Sequence, residues 1–122
     1  MAAALAQLHS PRYLHFIEHA WSDWIALDPL NAAHDALPSV WPAPGMRLDV
    51  LPDSFAARIG LFSFDAGTPL TAGSWAAAHA GAACAITAAR EVTSQGVRSA
   101  FALSRPPGHH AGADFFSAAT AS

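Results

Sequence analysis

Between Asp28 and Pro69 the chain carries Pro29, Pro38, Pro42, Pro44, Pro52 and Pro69, and no period of 3.6 or 2 residues survives for long among them. Proline removes a backbone donor and fixes one torsion, so this stretch can be neither one long helix nor an inner strand. Trp41, Met46, Leu48, Val50, Leu51, Phe55, Phe62 and Phe64 make it too apolar for a solvated, disordered linker. It reads as a long ordered loop, residues 28–69, packed on the body of the protein or on another subunit. Loops of that length are usually functional.

Regular elements flank the loop. Ser10 before Pro11 is a helix start, because Ser caps free N–H groups and Pro suits the first helical position. Tyr13, Phe16, Ile17, Ala20, Trp21 and Trp24 recur at helical spacing and predict an amphipathic helix from about Pro11 to Leu27. A second helix is expected from about Thr71, capped by its hydroxyl, to Gly96, with a face mostly of Ala and Gly suited to close packing. Val97 to Leu103 reads as a short buried strand, and residues 104–116 as the loop leaving its C-terminal end. Helix, strand and site-bearing loop in that order suggest an α/β fold with a parallel sheet, where ligands sit beyond the strand ends.

Composition narrows the function. With 52% hydrophobic and 12% charged residues, the 122-residue chain is one globular domain at most. A net charge of −3 gives no field for steering toward nucleic acid. Cys84 is the single cysteine, which excludes a disulfide framework or a thiolate zinc cluster and reads as a small buried hydrophobe in a reducing compartment. Met1 to Leu8 resembles neither a signal peptide nor a membrane span. A soluble, cytoplasmic protein without membrane or nucleic-acid partners is expected.

The sharpest local feature is Arg105-Pro106-Pro107-Gly108-His109-His110-Ala111. The prolines hold the backbone extended, and Gly108 permits a tight turn or the close approach of a substrate. A stiff lead-in of this kind can aim two adjacent imidazoles into one cleft, which a regular strand cannot, since its side chains alternate. A fixed pair suits proton transfer near neutral pH. The pair by itself is equally at home on a plain surface loop.

The whole heptapeptide is similar to the tandem-histidine motif of the zinc-dependent deacetylases, most closely the class II histone deacetylases and the bacterial acetylpolyamine amidohydrolases. Ser10-Pro11-Arg12-Tyr13-Leu14 resembles that family's first helix. Leu61-Phe62-Ser63-Phe64-Asp65-Ala66-Gly67-Thr68-Pro69-Leu70 resembles its rim loop, and Gly73-Ser74-Trp75 continues the likeness. The similarity covers about Ser10 to Phe116. It implies the N-terminal part of an arginase/deacetylase-like three-layer αβα fold, incomplete here, with residues 1–122 forming one portion of a single domain.

The resemblance further implies removal of acetyl or acyl groups from acetylpolyamines or acetyl-lysine with Zn2+ in the intact family member. Carried over by position, His110 is the general base and His109 its electrostatic partner and proton donor. Asp65 corresponds to an acidic rim residue that grips the substrate, against the alternative of an Asp that tightens the turn at Gly67. Gly108 and Phe116 complete the expected substrate side, and Arg105 is read as structural, pairing with a buried carboxylate or carbonyl. The long loop tilts the substrate toward a small polyamine. Its residues 28–63 resemble an element that narrows the substrate channel and forms a homodimer, against the alternative of a loop packed on its own subunit.

The likeness also has a departure. The family continues with glycines, an Asp-x-His pair and a further Asp as zinc ligands, and later a catalytic tyrosine, whereas this chain reads Ser117-Ala118-Ala119-Thr120-Ala121-Ser122. No metal ligand is therefore assigned, and the alternative function is a catalytically silent partial domain or interaction fragment. His15 and His19, four apart on a helix, could hold one metal but lack an obvious third ligand. His9, His34 and His79 read as surface or loop residues, and the tryptophans as core, with Trp41 the one to watch.

Overall fold

The structure, a computed structural model, describes residues 1–117; the stretch read as a departure from the family pattern lies, from residue 118 on, outside the described residues. Among the described residues four helices appear in chain order: α1 (Ala2–Leu5), α2 (Pro11–Leu27), α3 (Phe55–Leu61) and α4 (Ser74–Ser94), with a 3-10 turn at Pro29–Ala33 after α2. The start of α2 is as expected. Pro11 occupies its first turn, and the Ser10 hydroxyl accepts the Tyr13 N–H at 3.3 Å. Its far end closes where the Asp28 carboxylate takes the Leu30 N–H at 2.9 Å and the Asn31 amide donates to the Trp24 carbonyl at 2.9 Å.

The core is a ring cluster. Tyr13, Phe16 and Ala20 on α2 meet Phe55 and Ile59 on α3, and Phe62, Leu70, Phe116 and Ala36 close it. Phe62 is fully enclosed, with Phe16 stacked on it at 4.9 Å and Tyr13 tilted at 6.0 Å between ring centroids. Such aromatic pairs add to the stabilisation from burial alone. The Arg58–Asp23 ion pair, 3.5 Å, ties α3 to α2 at the edge of this cluster.

The Pro-rich stretch is not all loop, since it contains the 3-10 turn and α3. Ser54 caps α3 by accepting the Ala57 N–H at 3.2 Å, and Phe55, Ile59 and Phe62 fall at i, i+4 and i+7, a helical face set among prolines. The loop then lies directly on that helix. A Cβ built on Gly60 would meet the Val40 carbonyl oxygen at 1.6 Å, so only glycine lets the two backbones approach. The Trp41 indole N–H donates to the Ser63 hydroxyl at 3.1 Å.

Strand pairing reduces to two bridges among the described residues. Ala36 pairs antiparallel with Leu70, and Ser63 pairs parallel with Phe116. The stretch from Val97 to Leu103 is not the buried strand that was expected: Phe101 and Leu103 are 85% and 83% exposed. A strand needs a hydrogen-bonding neighbour, and this segment has only the side of α4 beside it. The second helix starts at Ser74 rather than Thr71. Thr71 acts one turn earlier, its hydroxyl accepting the Gly73 N–H at 3.3 Å, and Gly96, at φ +73°, ends the helix as expected. No residue of α4 is buried, and Cys84 is exposed rather than buried, because the segment beside it, residues 100–103, leaves an open groove along the helix instead of a closed layer.

Two outcomes follow. Gly60→Ala should cost about 1–3 kcal/mol through overpacking against backbone that cannot swing aside, read as a lowered urea midpoint. Burial pushes the Tyr13 phenol up to about 12. The stability carried by the neutral phenol is then fully present below about pH 10 and is lost as pH rises toward about 12, since the unfolded chain ionises first, by at most about 1.4 kcal/mol per pH unit. Tyr13 is the single tyrosine, so tyrosinate absorbance in the folded chain reads it alone; a midpoint near 10 would contradict the burial.

Candidate active site

The Phe62–Phe64 segment and the far end of the histidine loop are stitched together by two parallel-type hydrogen bonds. The Phe116 N–H donates to the Phe62 carbonyl at 2.8 Å, and the Phe64 N–H donates to the Phe116 carbonyl at 3.1 Å. Phe62 is also the C-cap of α3, so its ring keeps to the inner face of that helix, while Phe64 lies past the helix end. Phe62 points into the core, and Phe64 points out, 62% exposed.

The histidines sit beyond this stitch. The rings of His109 and His110 lie 4.1 Å apart with their planes at 45°. His110 also faces Phe64, with ring centroids 6.4 Å apart and planes within 7° of parallel, and Phe115 packs on Phe64 at 5.8 Å. The loop between them is closed by its own backbone: the Ala111 N–H donates to the Gly108 carbonyl at 3.0 Å, and the Gly112 N–H to the Phe115 carbonyl at 2.9 Å. Both imidazoles are exposed to solvent. The rings are thus brought together, on an outer face rather than in an enclosed cleft.

Gly108 makes the turn without a left-handed backbone, and a Cβ there would meet nothing within 4 Å. No internal contact of the chain therefore requires glycine at this position. Asp65 lies on the same rim and uses both carboxylate oxygens, Oδ1 accepting the Gly67 N–H at 2.7 Å and Oδ2 the Ser117 hydroxyl at 2.9 Å. The turn-tightening alternative for Asp65 is present in the structure, and each oxygen keeps a second lone pair for a further donor. Phe116 is 7% exposed and belongs to the core, so its side chain faces away from the rim. The aromatic wall is made instead by Phe64 and Phe115. Arg105 is exposed and forms no ion pair among the described residues, because its loop stands in solvent with no carboxylate near it.

Several contributors were not foreseen from the sequence. Phe64 lies just past the end of α3, and no local pattern says which way its ring turns. The contacts that hold Gly112 to Asp114 against residues 9–12 join segments a hundred positions apart, and no local pattern signals them. His15 and His19 do stack, at 4.3 Å, but His19 Nδ1 donates to the His15 carbonyl at 2.8 Å, and among the described residues no three His, Cys, Asp or Glu side chains converge to hold a metal. No described helix is long and apolar enough to cross a membrane.

The chain is similar to known proteins. The family model described as the histone deacetylase domain matches residues 1–117. Acetylpolyamine amidohydrolase 2 of Pseudomonas aeruginosa is 42% identical over 111 residues, and acetylpolyamine amidohydrolase 1 of the same organism 43% identical over 112; each alignment covers 91% of this chain and 31% of the relative. A crystal structure of acetylpolyamine aminohydrolase from Burkholderia pseudomallei, from an iodide soak, superposes with a TM-score of 0.80 at 30% identity, covering 94% of this chain and 32% of that one. The chain spans about a third of the length of the relatives it matches. It is a member of the histone deacetylase domain family.

Proposed function

We propose that the protein to which this chain belongs is an amidohydrolase that removes acetyl groups from acetylated polyamines, with acetyl-lysine as the second substrate class. The observation that carries the reading is the tandem-histidine pair, two imidazoles 4.1 Å apart on a loop pinned to the core by the Ser63–Phe116 bridge. Relatives named as acetylpolyamine amidohydrolases support the polyamine over the lysine side chain. The three-layer fold with a parallel sheet is proposed for the intact protein, and the single parallel bridge is compatible with its beginning.

In this reading His110 removes a proton from the attacking water, and His109 offsets the charge of the tetrahedral intermediate and returns a proton to the departing amine. The C–N bond breaks as that proton arrives, leaving acetate and a free amine. Asp65 receives the second ammonium of a polyamine on its open lone pairs. Gly108 lets the acyl group approach the loop backbone, which explains a glycine that no internal contact demands. Phe116 serves from beneath by fixing the loop to the core. The zinc that the family resemblance implies does not fit the described residues, which offer no converging donor set; in this reading its ligands lie elsewhere in the intact protein, and no step is derived through it. Residues 28–63 are proposed to narrow the channel and to join two protomers.

A second reading is favoured by that missing donor set and by the third of the relatives' length that the chain spans. It takes the 122-residue chain by itself as catalytically silent. Both readings hold if activity belongs to the longer protein and silence to this part. Stoichiometric zinc binding at the histidine loop of the isolated chain would defeat the second.

The test is acetate release from acetylpolyamine and from acetyl-lysine by the full-length product supplied with zinc; no release from either, with metal bound, would overturn the proposal. His110→Ala should then lower kcat by about 10²-fold or more. Gly108→Ala should leave the thermal midpoint unchanged while reducing kcat/KM, and an equal loss of both would remove Gly108 from the substrate side.

A further inference from the structure

The end of the histidine loop is gripped by the N-terminus of α2 through contacts that the roles given above leave unused. Ser10 spends its hydroxyl twice: the oxygen accepts the Tyr13 N–H as helix cap at 3.3 Å, and the O–H donates to Asp114 Oδ1. The Ser10 N–H donates to the Ala113 carbonyl at 3.1 Å, and His9 Nδ1 donates to the Gly112 carbonyl at 3.1 Å. The Arg12 guanidinium stands 3.9 Å from Asp114 Oδ1, lies over the Phe62 ring at 5.6 Å, and donates to the Leu48 carbonyl of the Pro-rich loop. Residues 9–12 thus hold Gly112, Ala113 and Asp114 of the four residues that follow His110, and Arg12 extends the contact to Phe62 and the Pro-rich loop.

We propose that Asp114 is a positioning residue for the tandem histidines, holding residues 111–114 against the cap of α2 through Ser10 and Arg12, and that Arg12 joins this clamp to the Pro-rich loop at Leu48. The proposal rests on the reading of His109 and His110 as the reacting pair. Residues 104–108, on the other side of the histidines, are exposed, with Ser104 beside Gly81 of α4 and Gly108 bonded only within the histidine turn, so the hydrogen bonds that orient the rings come from the Asp114 side. Phe64 limits where His110 can go but forms no directional bond to it. A carboxylate suits the position, because it accepts from a hydroxyl and a guanidinium together.

The test is amide hydrogen exchange and imidazole titration by NMR on the whole chain, comparing wild type with Asp114→Ala, the near-isosteric Asp114→Asn, and Ser10→Gly, which keeps a tolerated helix cap while deleting the hydroxyl. In Asp114→Ala, exchange at Ala111–Ala113 should rise about tenfold or more, while amides in the interior of α2 stay protected. The titration midpoints of His109 and His110 should move, while those of His15 and His19 on the exposed side of α2 do not. Asp114→Asn should show a smaller change, since it still accepts from Ser10. Ser10→Gly combined with Asp114→Ala should add little to Asp114→Ala alone, as groups in one network are not additive. Unchanged loop exchange and unchanged His109 and His110 titrations in Asp114→Ala or, if that variant does not fold, in Ser10→Gly would overturn the proposal. These readouts concern the loop and not turnover, so an ordered loop without acetate release would defeat the amidohydrolase reading alone.

Discussion

The short parallel pairing of Phe62–Phe64 with Phe116 is the constraint on which the rest of the molecule turns. It places one aromatic ring, Phe62, at the centre of the core and the next outward one, Phe64, on the rim. A slip of one residue on the partner segment would turn Phe115 inward and Phe116 outward, emptying a place in the core. Because the same backbone bonds anchor the loop that carries His109 and His110, core packing and the arrangement of the imidazoles are set by one register.

Around that register the chain is assembled from segments that look independent in sequence. α2 supplies the aromatic floor through Tyr13 and Phe16, α3 clamps it from the opposite side, and the Pro-rich stretch is drawn over α3 by the close approach at Gly60. Burial of apolar rings provides the general attraction. The polar contacts of Ser10, Trp41, Asp65 and Asp114 select the arrangement, since each joins segments that hydrophobic attraction alone would leave free to slide.

Much of this was legible in the residues. Ser10-Pro11 and the apolar spacing that follows fix α2, the histidine heptapeptide marks the loop on which the two imidazoles meet, and the apolar content of the Pro-rich stretch announces that it packs. What the sequence concealed has physical reasons. α3 was hidden because prolines before it mask a helical face only two turns long. Val97–Leu103 carries the composition of a strand, but composition does not supply a pairing partner, and here it lies beside α4 with Phe101 and Leu103 in solvent. Cys84 misled for a related reason: a helix rich in Ala looks made for burial, yet burial depends on a layer to pack against. Phe116 was expected on the substrate side from the resemblance, and only the pleat decides that Phe116 goes inward while Phe115 turns to Phe64.

The seat of the Pro-rich stretch on α3 has a bearing on how relatives of this chain can differ in length. The backbone at Val40 is wedged against Gly60, Trp41 is hydrogen-bonded to Ser63, and Leu48 is held by Arg12. Between those moorings the Ala43–Met46 turn projects freely, with Gly45 at φ +85° and nothing within 4 Å of its missing side chain. Residues gained or lost by descent would be absorbed at that tip, leaving the two anchored limbs and the floor beneath the histidines undisturbed.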